Sequence, residues 1–208
     1  VERNELRAEK ERLALLSSAR EAELAIINSI QEVLASGQDM ATIYSAIGNK
    51  LHQIFSSQVV DIGIYDAVAD LMRFPYTIER GVLMPDEPMP LIGFRRHVME
   101  TGQYMLINDF ANQAETYGNP ASVQGEPAKS ALFMPLVVDG TPHGVISIQD
   151  LDRVHAFDQN DVDLLTTIAN AMSVALQRGQ LFYETLGLLR EANQRNAQLA
   201  FVGSIQEA

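Results

Sequence analysis

The stretch Ser130–Asp150, "SALFMPLVVDGTPHGVISIQD", decides the fold. Two apolar runs flank Asp139-Gly140, a pair that accepts the positive φ angles of a two-residue turn, so the stretch reads as a β-hairpin. A second alternating pair lies upstream. "VVDIGIYD" puts Val60, Ile62 and Ile64 on one face, and "LMRFPYTIE" sets Met72, Phe74, Tyr76 and Ile78 against Leu71, Arg73, Pro75 and Thr77. These read as a hairpin around "DAVAD". Pro75 has no N–H for a ladder, so its strand should be an edge or carry a bulge.

Outward from the hairpins the period becomes helical. Met40, Ile43, Ile47, Leu51 and Ile54 recur at three and four residues, a helix with one buried face, and Asp39 is placed to cap it. Before it, Glu2 to about Ser36 holds no Pro or Gly and reads as one long helix with a narrow stripe of Leu6, Leu13, Leu16, Ile27, Ile30 and Leu34. Gly37 is the expected cap at its end. After Gln159 the helix returns: Leu165, Ile168, Met172, Ala175, Gly179, Phe182, Leu186, Leu189, Asn193 and Asn196 step three and four as a heptad seam. Leu165, Ile168, Met172, Ala175, Phe182, Leu186 and Leu189 are the expected dimer contacts.

Between the hairpins, "MPDEPMP" leads to a short helix at about Gly93 to Thr101 and a strand in "YMLIN". The 21 residues from Asp109 to Lys129 read as an irregular polar loop, longer than a connection needs and of the kind that forms lids.

This order resembles the GAF family of small-molecule sensor domains. Pro135, Asp139-Gly140, Gly144 in "GVISI", Phe157, Asp161, Leu164, Leu165, Ala169, Ala175 and Leu181 carry the likeness, and "HVMETGQYMLIND" looks like the family's middle helix and following strand. It covers about Asp39 to Leu181. It implies an α+β fold: a central antiparallel sheet of about six strands flanked by helices, here with long N- and C-terminal coiled-coil helices. The expected organisation is a signalling helix over 1–36, the GAF domain over 37–181 and a coiled-coil linker over 182–208.

The resemblance also implies a pocket between one sheet face and the middle helix with its lid. Residues able to project into it are Tyr76, Arg80, Phe94, Arg95, Arg96, Asn108, Asp109, Gln124, Lys129 and Ser130. "FRRH" stands out, since adjacent cations near a helix start can clamp a carboxylate or phosphate, although Arg95 and Arg96 cannot both face inward. The ligand stays unknown. The cyclic-nucleotide signature is matched at Phe157 and Asp161 but not at Asp152-Arg153 or Val162, so those ligands are disfavoured. Covalent bilin attachment and the chemistry of the free methionine sulfoxide reductases need Cys, and the 208 residues contain none. For haem, none of His52, His97, His143 and His155 sits in a spacing that marks an axial ligand.

Catalysis is not expected. There is no Ser-His-Asp pattern, Gly-rich phosphate loop or His pair at metal spacing, and the carboxylates of "DEP" and "QDLD" lie in ordinary turn contexts. A formal charge of −12 argues against nucleic acid, and no apolar run spans a bilayer, so a cytoplasmic location is expected. Finally, Ala22 to Glu32 and Ala197 to Glu207 share seven of eleven residues at a distance of 175. The expectation is thus a segment of a longer, tandem-GAF bacterial signalling protein, a homodimer through its terminal helices that relays ligand state to a cyclase, kinase or phosphatase output. The alternative is a ligand-free dimerisation scaffold.

Overall fold

Two hairpins and the helices they support account for the fold in the computed structural model, which describes residues 24, 25, 27–33, 35, 39–117 and 126–206. Helix α1 (Met40–Phe55) begins where Asp39 accepts the Thr42 N–H at 2.9 Å, and it buries Ile43, Tyr44, Ile47, Gly48 and Leu51 on one face. Strands β1 (Val59–Asp66) and β2 (Leu71–Glu79) follow, their turn held by Asp66 accepting from the N–H groups of Val68 and Ala69. Two-residue strands β3 (Val82–Leu83) and β4 (Met89–Pro90) pair with the outer side of β2. Then come α2 (Gly93–Thr101), β5 (Met105–Ile107), the short α3 (Phe110–Ala114) and a 3₁₀ turn at Glu115–Tyr117. The Ser130–Asp150 stretch forms β6 (Ser130–Val138) and β7 (Thr141–Asp150), turning through positive φ at both Asp139 and Gly140. Helix α4 (Gln159–Gln206) is the last of the described elements, and it starts with Asp158 and Asp161 each accepting the other's N–H.

The sheet is antiparallel and ordered β3-β2-β1-β7-β6-β5, with β4 also on β2. It therefore has seven strands rather than about six: the five read in the two hairpins and "YMLIN", with β3 and β4, too short to carry a readable alternation. Nor is Asp109–Lys129 wholly irregular, since α3 and the 3₁₀ turn occupy its start.

Pro75 sits at a bulge. Ile62 pairs with Tyr76 and Ile64 with Arg73, which leaves Phe74 and Pro75 opposite Gly63 alone. The extra residue breaks the expected single face. Met72 and Phe74 pack with α2, while Tyr76 and Ile78 pack on the opposite side with α1.

Each sheet face carries one core. On the first, α1 and the early turns of α4 cover Val60, Ile62, Tyr76, Ile78, Leu136, Ile146 and Ile148, joined by Ile30 from the helical residues 27–33. On the second, α2 and α3 cover Val59, Met72, Phe74, Phe133 and Val145. Burying each such side chain stabilises the fold by about 1.5–3 kcal/mol. The seam expected for a dimer is spent here: Leu165, Ile168 and Met172 are at most 1 % exposed and Ala175 is buried, Leu165, Ile168 and Met172 within the first core. A heptad-like repeat records a buried helix face without saying whose surface buries it. Leu189 is exposed, and the side chains of Phe182 and Leu186 lie outside the described residues, as do Leu6, Leu13, Leu16, Leu34 and Gly37.

Candidate functional site

The chemistry concentrates on the second face, beneath α2. Asp61 lies in β1, a central strand, paired in register with Ser147 of β7. Alternation sends Val60 and Ile62 to the first core and Asp61 to the other side. There it is 3 % exposed, and its Oδ2 accepts from Arg95 Nη2 at 2.6 Å, Ser147 Oγ at 2.6 Å and Gln149 Nε2 at 3.1 Å. Gln149 Nε2 also donates to Ser147 Oγ, so β7 fixes the carboxylate from two positions. Arg95 descends from α2, and its guanidinium lies 5.1 Å from the Phe74 ring centroid and 5.4 Å from that of Phe133. Asp61 Oδ1 and Arg95 Nε are buried without a hydrogen-bond partner among the described residues. Beside them Phe94 meets Phe110, Tyr117 and Phe133 at centroid distances of 4.9, 5.4 and 5.6 Å.

A profile of the GAF domain matches residues 37–177. The chain belongs to the GAF domain family. A search of curated protein sequences gives no match. Among solved structures, the chain is similar to the GAF domain of a phosphoenolpyruvate-protein phosphotransferase from Coxiella burnetii, with TM-score 0.64 and 16 % identity over 78 % of this chain and 96 % of that one. It is similar also to residues 122 to 287 of a methyl-accepting chemotaxis protein, with TM-score 0.63 and 20 % identity over 76 % and 98 %. A third is the free methionine-R-sulfoxide reductase from Neisseria meningitidis in complex with its substrate, with TM-score 0.61 and 18 % identity over 76 % and 90 %. At these identities the likeness is one of fold. GAF domains generally act as small-molecule sensors in signalling proteins.

The GAF fold sorts the residues singled out in the sequence. Phe94 and Arg95 belong to the cluster beneath α2. Arg96 is on the outer side of that helix and donates through Nε to the Leu91 carbonyl at 2.8 Å. Tyr76 is on the far face of the sheet, against Gly48, and donates to Asn49 Oδ1 at 2.9 Å. The bulge at Phe74-Pro75 sent it there. Arg80, at positive φ after β2, grips both carboxylate oxygens of Glu126 at 3.0 Å and reaches Asp152 at 3.2 Å. Hydrogen bonds from Glu126 and Asp152 hold its guanidinium above its ordinary pKa, and the Arg80 hydrogen bond holds Glu126 below the usual carboxylate range.

Lys129 and Ser130 organise the turn that follows β7, Nζ donating to the Asp152 carbonyl and Oγ to the Arg153 carbonyl. Asp150 joins them. Burial works to raise its pKa, but hydrogen bonds from the Arg153 side chain and backbone and from Asp152 outweigh it and leave the carboxyl lowered. The "QDLD" carboxylates thus build a turn. Asp109 binds Asn112 at the start of α3, the Asn108 carbonyl accepts from the His155 N–H, and Gln124 lies outside the described residues. Among the described residues no group of three His, Asp or Glu is placed to hold a metal, and no helix is long and apolar enough to cross a membrane.

Asp61, Ser147 and Gln149 were not among the residues singled out. Their signal is present nonetheless: Asp in the middle of "VVDIGIYD" and Ser and Gln alternating with Ile in "GVISIQD" put polar groups on one face of two apolar strands.

Proposed function

We propose that this chain is a regulatory sensor module of a multidomain signalling protein, binding a small molecule beneath α2 and dimerising through its terminal helices. The observation that carries the reading is the part-buried Asp61–Arg95 pair, in which one buried acceptor and one buried donor atom are left without a partner among the described residues. Buried polar atoms are nearly always satisfied, and leaving one unsatisfied costs about 1–3 kcal/mol, so a ligand that completes the pair gains what the fold gives up. Binding that favours one placement of α2 over another shifts the population of the dimer, and α4 carries that shift onward to an output domain. No catalytic role is assigned.

For the dimer, Val174, Leu181 and Leu188 are exposed on α4 at intervals of seven residues, the spacing of a coiled-coil stripe. The repeated Ser-Ile-Gln-Glu words, 175 residues apart, favour a second module in tandem. A second reading, a ligand-free scaffold, is favoured by the close ring contacts that Phe94 makes beneath α2 with Phe110, Tyr117 and Phe133. Mass spectrometry separates the two readings. The sensor predicts that native protein weighs more than denatured protein by one small molecule per chain, and equal masses across preparations from several growth conditions would favour the scaffold.

A further inference from the structure

We infer that the ligand presents a flat, uncharged edge with an N–H donor beside a carbonyl or ring-nitrogen acceptor, as in a lactam, a primary amide or a nucleobase-like heterocycle. This rests on the sensing role proposed above and names the class of molecule sensed. Adjacent cations in "FRRH" suggest an anion clamp, but the geometry removes that option. Arg96 points away and is bound to the Leu91 carbonyl. Arg95 lies 2.6 Å from Asp61, so the pair carries no net charge.

A carboxylate or phosphate approaching Arg95 meets the Asp61 carboxylate, and an ammonium approaching Asp61 meets the guanidinium. Either charge is repelled at short range in a site only partly open to solvent. The unsatisfied atoms instead match a neutral edge: Asp61 Oδ1 accepts one hydrogen bond and Arg95 Nε donates one. Three donors on Oδ2 hold the carboxylate in place, so its other oxygen is pre-oriented. Phe74 and Phe133, both within 5.4 Å of the guanidinium, make the surroundings of Arg95 apolar, which suits a planar heterocycle or aromatic amide over a strongly hydrated group.

The test follows the Arg95 Nε–H resonance in ¹⁵N–¹H spectra of the whole chain, assigned by its disappearance in Arg95→Lys. Uracil, hydantoin and benzamide are titrated as neutral probes, and acetate and inorganic phosphate as anions. The expected result is a saturable shift of the Nε–H signal with at least one neutral probe and none with the anions. Affinity, read from the Gln149 side-chain amide, should fall about tenfold in Arg95→Lys, the equivalent of one lost hydrogen bond. If Arg95→Lys fails to fold, Asp61→Asn serves for the affinity comparison, and the Arg95 Nε–H signal is assigned by through-bond correlation along the arginine side chain. Shifts with acetate or phosphate and not with the neutral probes would overturn the neutral-edge class while leaving a sensing site in place. A silent Nε–H signal with every probe would overturn it too, and the native mass comparison then judges sensing separately.

Discussion

Arg95 reaches Asp61 through one nitrogen: Nη2 donates to Oδ2 at 2.6 Å, while Nε and Oδ1, both buried, find no partner among the described residues. A strand from the middle of the sheet and a helix laid across it each supply one charge, the carboxylate buried and the guanidinium side chain 20 % exposed. Removing either charge strands the other. Arg95→Met should cost about 3 kcal/mol in urea unfolding, Asp61→Leu a similar amount, and the double variant less than their sum. Additive losses would show that the two residues act independently.

Two glycines test the packing of the sheet. A Cβ on Gly144 would lie 2.3 Å from the Gly63 carbonyl, and one on Gly48 would lie 2.3 Å from the Tyr76 ring. A side chain yields more readily than backbone hydrogen-bonded in a ladder. Both Gly→Ala changes should destabilise, Gly144→Ala by about 3 kcal/mol and Gly48→Ala by nearer 1–2 kcal/mol. Urea midpoints should fall in that order with the slope unchanged.

The acid limb of stability should depend on Asp150. Its folded pKa is lowered, so its contribution is fully present above the unfolded value of about 4 and is lost as pH falls through the lower folded value. Asp150→Asn should cost about 1–3 kcal/mol near pH 7, since Arg153 and two backbone N–H groups lose a charged acceptor, and its stability should then fall less steeply below pH 4. Asp161 has the opposite sign: burial raises its pKa, so the folded state takes up its proton more readily than the unfolded chain. Asp161 thus detracts from stability above its ordinary pKa. Chemical denaturation between pH 2 and pH 7 reads both residues.

The two sides of α4 should respond differently to substitution. Leu165→Ala or Met172→Ala should lower stability by about 2–5 kcal/mol through loss of the chain's own core. Leu181→Glu with Leu188→Glu should leave the far-ultraviolet spectrum intact and convert dimer to monomer in sedimentation. A monomeric wild type would remove the basis for a dimer carried by this stripe.

Much of the architecture was legible because its signals are local. Asp139-Gly140 marks its hairpin, Asp39 its helix start, and Pro75 its bulge, each by backbone chemistry that no distant residue alters. What escaped depends on distance. The bulge shifted Tyr76 to the far face, although strict alternation placed it with Met72 and Phe74. The α4 seam was assigned to a second copy because period alone does not identify the partner surface. In the cluster beneath α2, Phe94 and Arg95 were legible as residues of the middle helix, whereas Asp61 stands on the face of "VVDIGIYD" opposite Val60 and Ile62. Its importance comes from Arg95, 34 positions away, and from Ser147, 86 away.

The most direct test of the sensing site adds a small-molecule filtrate of cell extract to the ¹⁵N-labelled chain and follows Arg95 Nε–H and the Gln149 side-chain amide. A sensor completing the Asp61–Arg95 pair predicts a saturable shift of both signals, absent in Asp61→Leu. Unchanged signals with filtrates from several growth conditions would contradict a ligand site beneath α2.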